Sequence, residues 1–263
     1  MSGTIRSERQ GDLALVTLSH PGKFNAMSRG MWRELREVFG ALQQDASLRG
    51  VVLRGEGGHF CAGGDISEYP DFRFSEAGLR DFHENDVWGG LQAVLDCDLP
   101  VVAQLEGNCM GAGVEMACCC DIRIASETAR FGAPIGRLGF PMAPREAALV
   151  LREAGAPTAR EMLLEGGVLT AAQMQGRGFL QRSVAQDQLA QEVRSTVQRI
   201  MALAPQAARL NKQALRALQP APAADTVATL LAQAYAYADS AEHREGVSAF
   251  LAKRPADFSI PTS

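Results

Sequence analysis

One stretch near the middle of the chain, residues 107–121 with the sequence GNCMGAGVEMACCCD, most constrains the fold. It follows the short apolar run 99–105, which begins with Leu-Pro and predicts a buried strand. The small residues Gly111, Ala112 and Gly113 predict a tight turn, and the composition from Val114 onward predicts a helix. We therefore expect a strand, a tight turn and a helix in direct succession.

Glu115 makes this unit a candidate for catalysis. The small residues before it let another molecule approach the backbone closely, and the N–H groups of a starting helix attract negative charge. Glu115 follows Ala112 by three residues, so it lies on the same side of the helix. This arrangement suits acid/base chemistry on a carbonyl compound. The alternative is that the glycines only permit close packing and Glu115 only complements the helix dipole, but its apolar neighbours favour the functional interpretation.

The composition limits the class of protein that this chain can be. The chain has 263 residues, of which 46% are hydrophobic and 21% charged, as expected for a folded domain, alone or with an appendage. A formal charge of −4 argues against nucleic acid as a partner, although local basic positions can still hold a phosphorylated small molecule. With no signal-like N-terminus and no long apolar run, we expect a cytoplasmic protein that does not enter a membrane. The six cysteines lack paired C-x-x-C spacing, which indicates buried, reduced thiols rather than disulfides or a metal site.

A second glycine turn, residues 59–66, follows another short apolar run, 50–55. Further strands are predicted at 13–18 and 121–125, and Ser28 is a candidate N-cap for an amphipathic helix. Because loops after strands form the ligand crevice in α/β sheets, both glycine turns, and the loop 129–141, should lie near one crevice. The mixed segment 67–82 is either a lid or an irregular loop. Beyond residue 143 helices dominate, and they either form an oligomer surface or cover the core.

Four segments together resemble the crotonase (enoyl-CoA hydratase/isomerase) superfamily: 20–27, 60–66, 107–121 and 250–254. The resemblance implies an α/β fold with a ββα spiral core, residues 1–200, and a helical C-terminal region, residues 201–263, that forms a trimer or a dimer of trimers. It implies an acyl-CoA thioester substrate, no metal, and no cofactor apart from the coenzyme A of the substrate. It also implies that the N–H groups of Ala62 and Ala112 form an oxyanion hole, with Glu115 as the catalytic carboxylate. Two such donors stabilise a developing enolate by several kcal/mol.

The resemblance also implies a set of substrate-binding positions. Lys23 and Ala26 are expected near the nucleotide end of coenzyme A, and Lys253 near its phosphates, although each lysine could equally be a solvated surface charge. The remaining substrate-binding positions are Ala62, Gly63, Gly64, Asp65, Ile66, Gly111 and Ile135.

Ile135 is a departure from the family pattern, because typical hydratases carry a second glutamate there. Isoleucine cannot activate water or supply a proton, so water addition by the usual route is in doubt. We expect a lyase or isomerase with Glu115 as the only retained family carboxylate, and isomerisation or decarboxylation are alternatives to hydration. A lid side chain could assist: Glu68, Asp71, His83 or Glu84. Other hypotheses are a catalytically weak acyl-CoA-binding protein and an RNA-binding protein, the latter disfavoured by the acidic balance.

Overall fold

The computed structural model describes residues 2–259. Its strands are β1 (Thr4–Gln10), β2 (Leu13–Ser19), β3 (Gly50–Gly55), β4 (Val101–Leu105), β5 (Asn108–Met110), β6 (Ile122–Ser126), β7 (Arg130–Gly132), β8 (Val168–Thr170) and β9 (Arg182–Val184). Its α-helices are α1 (Arg29–Gln44), α2 (Glu76–Asp81), α3 (Trp88–Asp96), α4 (Ala112–Cys118), α5 (Pro144–Ala154), α6 (Ala156–Arg160), α7 (Ala171–Gly176), α8 (Leu189–Met201), α9 (Pro205–Leu218), α10 (Ala224–Gln233) and α11 (Ala241–Leu251).

The larger sheet has six strands in the order β1-β2-β3-β4-β6-β9. Only β1 is antiparallel to its neighbour, and the other pairs are parallel. The predicted strands at 13–18, 50–55, 99–105 and 121–125 are confirmed within two residues at each end. The sequence analysis did not predict β1, because this edge strand buries only Ile5 and has no apolar run.

The smaller sheet, β5-β7-β8, explains how the glycine turns come together. β4 of the large sheet continues into β5 of the small one and then into α4, and β6 continues likewise into β7. Cys61, downstream of β3, forms a parallel bridge with Cys109 of β5, and Cys109 pairs in register with Phe131 of β7. Successive repeats therefore place corresponding residues side by side, as the predicted ββα spiral requires.

Helices cover the sheets, and the sequence analysis made predictions about two of the helical regions. The Ser28 hydroxyl accepts a hydrogen bond from Met31 N, which confirms the predicted N-cap, and α1 buries Met31, Trp32, Leu35, Phe39 and Leu42. The segment predicted as a lid or irregular loop is more helical than expected. It contains a 3₁₀ turn (Ile66–Asp71) and α2, followed by a π-helical segment (Phe82–Val87) that leads into α3. Such π-helical segments are frequent at functional sites.

The core contains side chains from both sheets and from α1, α3, α4 and α5. All six cysteines are buried and free, as predicted. Every residue of α4 is buried, so Glu115 points from a helix with no solvent-facing side. Among residues 2–259 no helix is both long enough and apolar enough to cross a membrane.

Candidate active site

The two glycine turns lie against each other. Cys61 N donates to Asn108 O at 2.8 Å, and Met110 N donates to Cys61 O at 2.9 Å, which locks the start of one turn to the start of the other. A Cβ on Gly111 would lie 3.7 Å from Gly63 Cα. Gly63 has φ +113° and Gly111 has φ +47°, backbone conformations that favour glycine, so the close approach depends on these two residues. The structure therefore brings Gly63, Gly64, Gly111 and Ala112 into one place.

The backbone N–H groups at this place differ in availability. Ala62 N donates to Phe24 O at 3.0 Å, so the predicted donor Ala62 is already occupied in this structure. Gly64 stands three residues after Cys61, and Ala112 stands three residues after Cys109, the residue whose backbone pairs with that of Cys61. The two positions are thus equivalent in adjacent repeats. No acceptor within residues 2–259 pairs with Gly64 N or Ala112 N.

Glu115 is 9% exposed, and no side-chain hydrogen bond reaches its carboxyl group within the described chain. Over residues 2–259 the one fully enclosed side-chain N or O atom without a partner is Arg49 Nε, so the Glu115 oxygens retain contact with open space. Burial raises the pKa of Glu115 to about 8; the charge of Glu146 acts in the same direction, and that of Arg73 opposes it. A carboxyl group with this pKa can both release and accept a proton near neutral pH.

Glu146 enters the site through helix packing, because α5, which carries it, packs against α4. It is 1% exposed, and its Oε1 lies 3.0 Å from His83 Nδ1. Of the four lid candidates, His83 is the one that joins this environment. Glu68 accepts from Arg29 N, Glu84 pairs with Arg145 and Tyr235, and Asp71 is exposed.

Arg73 is a buried cation, 1% exposed, that forms no ion pair with any carboxylate of residues 2–259. Its N–H groups donate to His83 Nε2 (3.4 Å), His243 Nε2 (3.4 Å) and the Tyr237 hydroxyl (3.3 Å). Because arginine only donates, both imidazoles must accept at Nε2 and carry their proton on Nδ1, which His83 directs to Glu146 and His243 to Ala238 O. We call Arg73 with His83, His243 and Tyr237 the Arg73 clamp.

Both histidines of the Arg73 clamp are held neutral. Burial lowers the pKa of His83 below its ordinary value, although the hydrogen bond to Glu146 opposes this effect. Burial and the nearby charge of Arg73 lower the pKa of His243 to about 4. At neutral pH neither ring adds positive charge, so both remain acceptors for Arg73.

Residues 8–260 match the family model for enoyl-CoA hydratase/isomerase. This chain belongs to that family. It is 34% identical over 259 residues to a 2,3-dehydroadipyl-CoA hydratase of Escherichia coli (strain K12), covering 95% of this chain and 96% of the relative. Among solved structures it resembles an enoyl-CoA hydratase/carnithine racemase from Magnetospirillum magneticum, with 35% identity, a TM-score of 0.81, and coverage of 99% and 97% of the two chains. It shares the fold of a methylmalonyl-CoA decarboxylase in complex with 2-nitronate-propionyl-CoA, at 24% identity and a TM-score of 0.86, with 98% and 99% covered.

Membership of the hydratase/isomerase family gives Ile135 its significance. Phe131, four residues earlier, pairs with Cys109, and Gly111 N donates to Gly132 O at 2.8 Å. The loop that carries Ile135 therefore leaves the small sheet beside the Gly111 turn. Ile135 is half-buried and packs against the hydrophobic core. It places a hydrocarbon side chain, rather than an ionisable one, on this side of the site.

The predicted coenzyme A positions of this family member lie near the first turn, with one exception. Lys23 Nζ contacts Asp65 Oδ2 at 2.6 Å and Ser67 Oγ at 2.8 Å, so the exposed lysine is tied to the turn. Burial opposes ionisation of Asp65, but hydrogen bonds from Lys23 and Ser67 outweigh it and hold the pKa of Asp65 below its ordinary value. Ala26 and Ile66 are buried at either end of this region. Lys253 is exposed at the end of α11 and makes no side-chain hydrogen bond or ion pair with residues 2–259, so the structure does not join it to the turns.

Two open grooves lie elsewhere on the chain. One, of about 460 Å³, runs between α1 and α3, and the other, of about 370 Å³, lies beside the end of α11. Neither is lined by Glu115 or by the glycine turns. We therefore place the candidate site of this family member at the turns, where the chemically distinctive groups meet.

The sequence analysis did not select three residues of this site: Tyr69, Arg73 and Glu146. Tyr69 and Arg73 lie in the mixed lid segment 67–82, and Glu146 directly follows Arg145, as a surface residue would. The available signal for Tyr69 was its position four residues after Asp65, close to the first glycine turn.

Proposed function

We propose that the protein is an acyl-CoA enzyme in which Glu115 moves a proton at the α-carbon of a thioester. The observation that carries this proposal is the position of an unpartnered Glu115 carboxyl group, with a pKa of about 8, on the helix that starts at the second glycine turn. Loss of an α-proton produces an enolate, whose negative oxygen needs hydrogen-bond donors. The unpaired N–H groups at the turns meet this need.

The proposed donors are the N–H groups of Gly64 and Ala112. Gly64 replaces Ala62 in this role because Ala62 N already donates to Phe24 O and because the strand register makes Gly64 equivalent to Ala112. Two preorganised donors that aim at one oxygen are worth several kcal/mol to the enolate, since each contributes about 3 kcal/mol in comparable sites.

The reaction class that fits best is isomerisation or protonation of an enolate rather than hydration. Hydration requires a group that positions water in addition to the one that handles the α-proton. Ile135 cannot supply it, and the second buried carboxylate, Glu146, is engaged by His83. A single carboxyl group suffices to carry a proton between two carbons of one acyl chain.

Binding and turnover are tested separately. Calorimetry with butyryl-CoA should show binding, and S-butyl-CoA, a thioether without the carbonyl oxygen, should bind at least about tenfold more weakly because it loses more than one hydrogen bond. Incubation with butyryl-CoA in D₂O should introduce deuterium at the α-carbon, as mass spectrometry detects. Binding without deuterium incorporation would favour the acyl-CoA-binding alternative, and no binding by a folded sample would refute both.

Assembly into a trimer or a dimer of trimers is part of the same proposal. The helical C-terminal region, including the connection between α8 and α9, exposes large apolar side chains, which an oligomer would cover. They are Leu203, Leu210, Leu215, Leu218, Leu230, Phe250 and Leu251. Light scattering at micromolar concentration should report a trimer or hexamer, whereas a monomer would refute this part.

A further inference from the structure

We propose that the hydroxyl group of Tyr69 is a third hydrogen-bond donor to the thioester oxygen, beside the N–H groups of Gly64 and Ala112. The inference rests on the proposed function, because it assigns a further catalytic residue to the same oxyanion site. Tyr69 belongs to the 3₁₀ turn that directly follows the first glycine turn. Tyr69 stands five residues after Gly64, and this short link keeps the two residues close together.

The position of the hydroxyl group is the first support. A Cβ added to Gly64 would overlap Tyr69 Oη, so the hydroxyl occupies the space where a side chain at position 64 would lie. The Tyr69 hydroxyl therefore lies directly beside the Gly64 backbone, and it can do so because glycine carries no side chain. The charge of Glu115 is also close enough to influence the ionisation of Tyr69.

The second support is that this hydroxyl group has no partner. Tyr69 is 5% exposed, and no hydrogen bond links Tyr69 Oη to any residue from 2 to 259. The other two tyrosines differ, because Tyr235 donates to Glu84 and Tyr237 accepts from Arg73. Buried hydroxyls are normally paired, and Tyr69 Oη is not a fully enclosed atom within the described chain. It therefore faces the same kind of open space as the Glu115 carboxyl group, where a ligand atom can pair with it.

The third support is that the ring is held in place. The guanidinium of Arg73 lies 4.3 Å from the centroid of the Tyr69 ring and 4.1 Å from that of Phe140. The Arg73 clamp fixes that guanidinium through its three neutral acceptors. The edges of Phe72, Phe82 and Phe140 approach the Tyr69 ring with centroids 6.0 to 6.1 Å away. A donor that is already oriented stabilises a developing oxyanion without reorganisation during the reaction.

The chemistry requires no proton transfer from Tyr69. Burial raises the pKa of Tyr69 to about 12, so the phenol keeps its proton throughout the neutral range. It donates a hydrogen bond to the carbonyl oxygen, and that bond strengthens as the oxygen becomes negative. Glu115 alone exchanges the α-proton. Arg73, which contacts the Tyr69 ring, is a positioning residue.

The test removes only the hydroxyl group. Tyr69→Phe should lower deuterium incorporation into butyryl-CoA by about 10²-fold, the effect of removing one oxyanion donor elsewhere. The infrared carbonyl band of bound butyryl-CoA, labelled with ¹³C at C1, should move to higher wavenumber because it loses a hydrogen bond. The melting temperature should not fall, since the hydroxyl group has no partner in the protein. A 3-fluorotyrosine at position 69, a stronger donor, should move the band in the opposite direction.

Tyr235→Phe is the matched control, because it removes a buried hydroxyl group that donates to Glu84 instead. It should leave the carbonyl band and the exchange rate at wild-type values. A Tyr69→Phe variant with wild-type band and rate would overturn the assignment of Tyr69 while leaving the proposed function intact. If the wild type binds butyryl-CoA without exchange, proton transfer by Glu115 fails and the band shift still decides the role of Tyr69. No binding at all would overturn both.

Discussion

Gly64 and Ala112 occupy equivalent positions in adjacent repeats. Each stands three residues after one of the two residues, Cys61 and Cys109, whose backbones form a β-bridge. The pairing of Cys61 with β5 thus sets the spacing between two backbone N–H groups, and no side chain is needed to align them. Small residues at both positions fit the proposed site, in which the substrate would reach the backbone itself.

The donor role of Ala112 can be tested by removing its N–H. Ala112 is the first residue of α4, where proline is tolerated because the N–H has no partner inside the helix. Ala112→Pro should therefore remain folded and lose about 10² to 10³-fold in exchange rate, as for other oxyanion donors. Ala224→Pro, at the exposed first position of α10, is the matched control and should keep the wild-type rate. Equal rates for Ala112→Pro and wild type would remove Ala112 from the oxyanion site.

Glu146 should control the pH at which Glu115 works. Its charge raises the pKa of Glu115, so Glu146→Gln should lower that pKa. Because proton abstraction needs the ionised form of Glu115, the rising limb of exchange rate against pH should move to lower pH. Glu153→Gln, also on α5 but paired with Arg123 and Arg152, should leave the profile in place. A shift toward higher pH in Glu146→Gln would contradict this electrostatic account.

The raised pKa of Glu115 should also affect stability. The pKa of a glutamate in the unfolded chain is about 4.3, so between that value and about 8 the folded protein holds the extra proton. Ionisation of this group leaves the free energy of unfolding unchanged below the pKa of the unfolded chain. As the pH rises from there toward the pKa of the folded protein, the free energy of unfolding falls by about 1.4 kcal/mol per pH unit. Glu115→Gln lacks this loss. Its free energy of unfolding relative to wild type should increase by up to about 4 kcal/mol from pH 5 to pH 8.

Denaturant unfolding of both proteins at the two pH values measures this difference. Glu37→Gln, which neutralises an exposed carboxylate on α1, serves as the control and should run parallel to wild type. A constant difference between Glu115→Gln and wild type over the range would show that Glu115 is ionised in the folded protein at pH 5.

Ile135 should limit hydration. Wild type should hydrate crotonyl-CoA slowly or not at all, measured as loss of the enoyl-thioester absorbance. Ile135→Glu should raise the rate on the order of 10²-fold, the usual contribution of one acid/base group, if the loop holds the new carboxylate toward the site. Ile135→Gln has a similar size and polarity without an acid/base function and should give no increase. Fast hydration by wild type would show that another residue already replaces the missing glutamate.

The sequence predicted the parts of this fold that have a strong apolar signal. The strands β2, β3, β4 and β6 are short apolar runs, whereas β5, β7 and β8 have only three residues each and no distinguishing pattern. The small sheet they form decides which N–H groups meet. The motif alone therefore located both glycine turns but could not show that Ala62 N is already paired, since that depends on a hydrogen bond to Phe24 O.

The polar surroundings of Glu115 were less accessible to sequence analysis for a related reason. Arg73 and His243 are 170 positions apart, and His83 and Glu146 are 63 apart. In the sequence His83, Glu146 and His243 each stand beside a charged residue, as surface residues do, and of the four only Arg73 stands between two apolar ones. Their burial, and hence their influence on pKa, follows from the packing of the lid segment against α5 and α11, which no local pattern encodes.

The central claim is that Glu115 moves the proton at the α-carbon, and deuterium incorporation by Glu115→Gln tests it most directly. Wild type and Glu115→Gln are compared in D₂O at pH 8 with saturating butyryl-CoA, after calorimetry has shown that both bind it. Removing the acid/base group should lower the rate by about 10² to 10⁴-fold while binding stays within a few-fold of wild type. An unchanged rate of deuterium incorporation in Glu115→Gln would contradict the account.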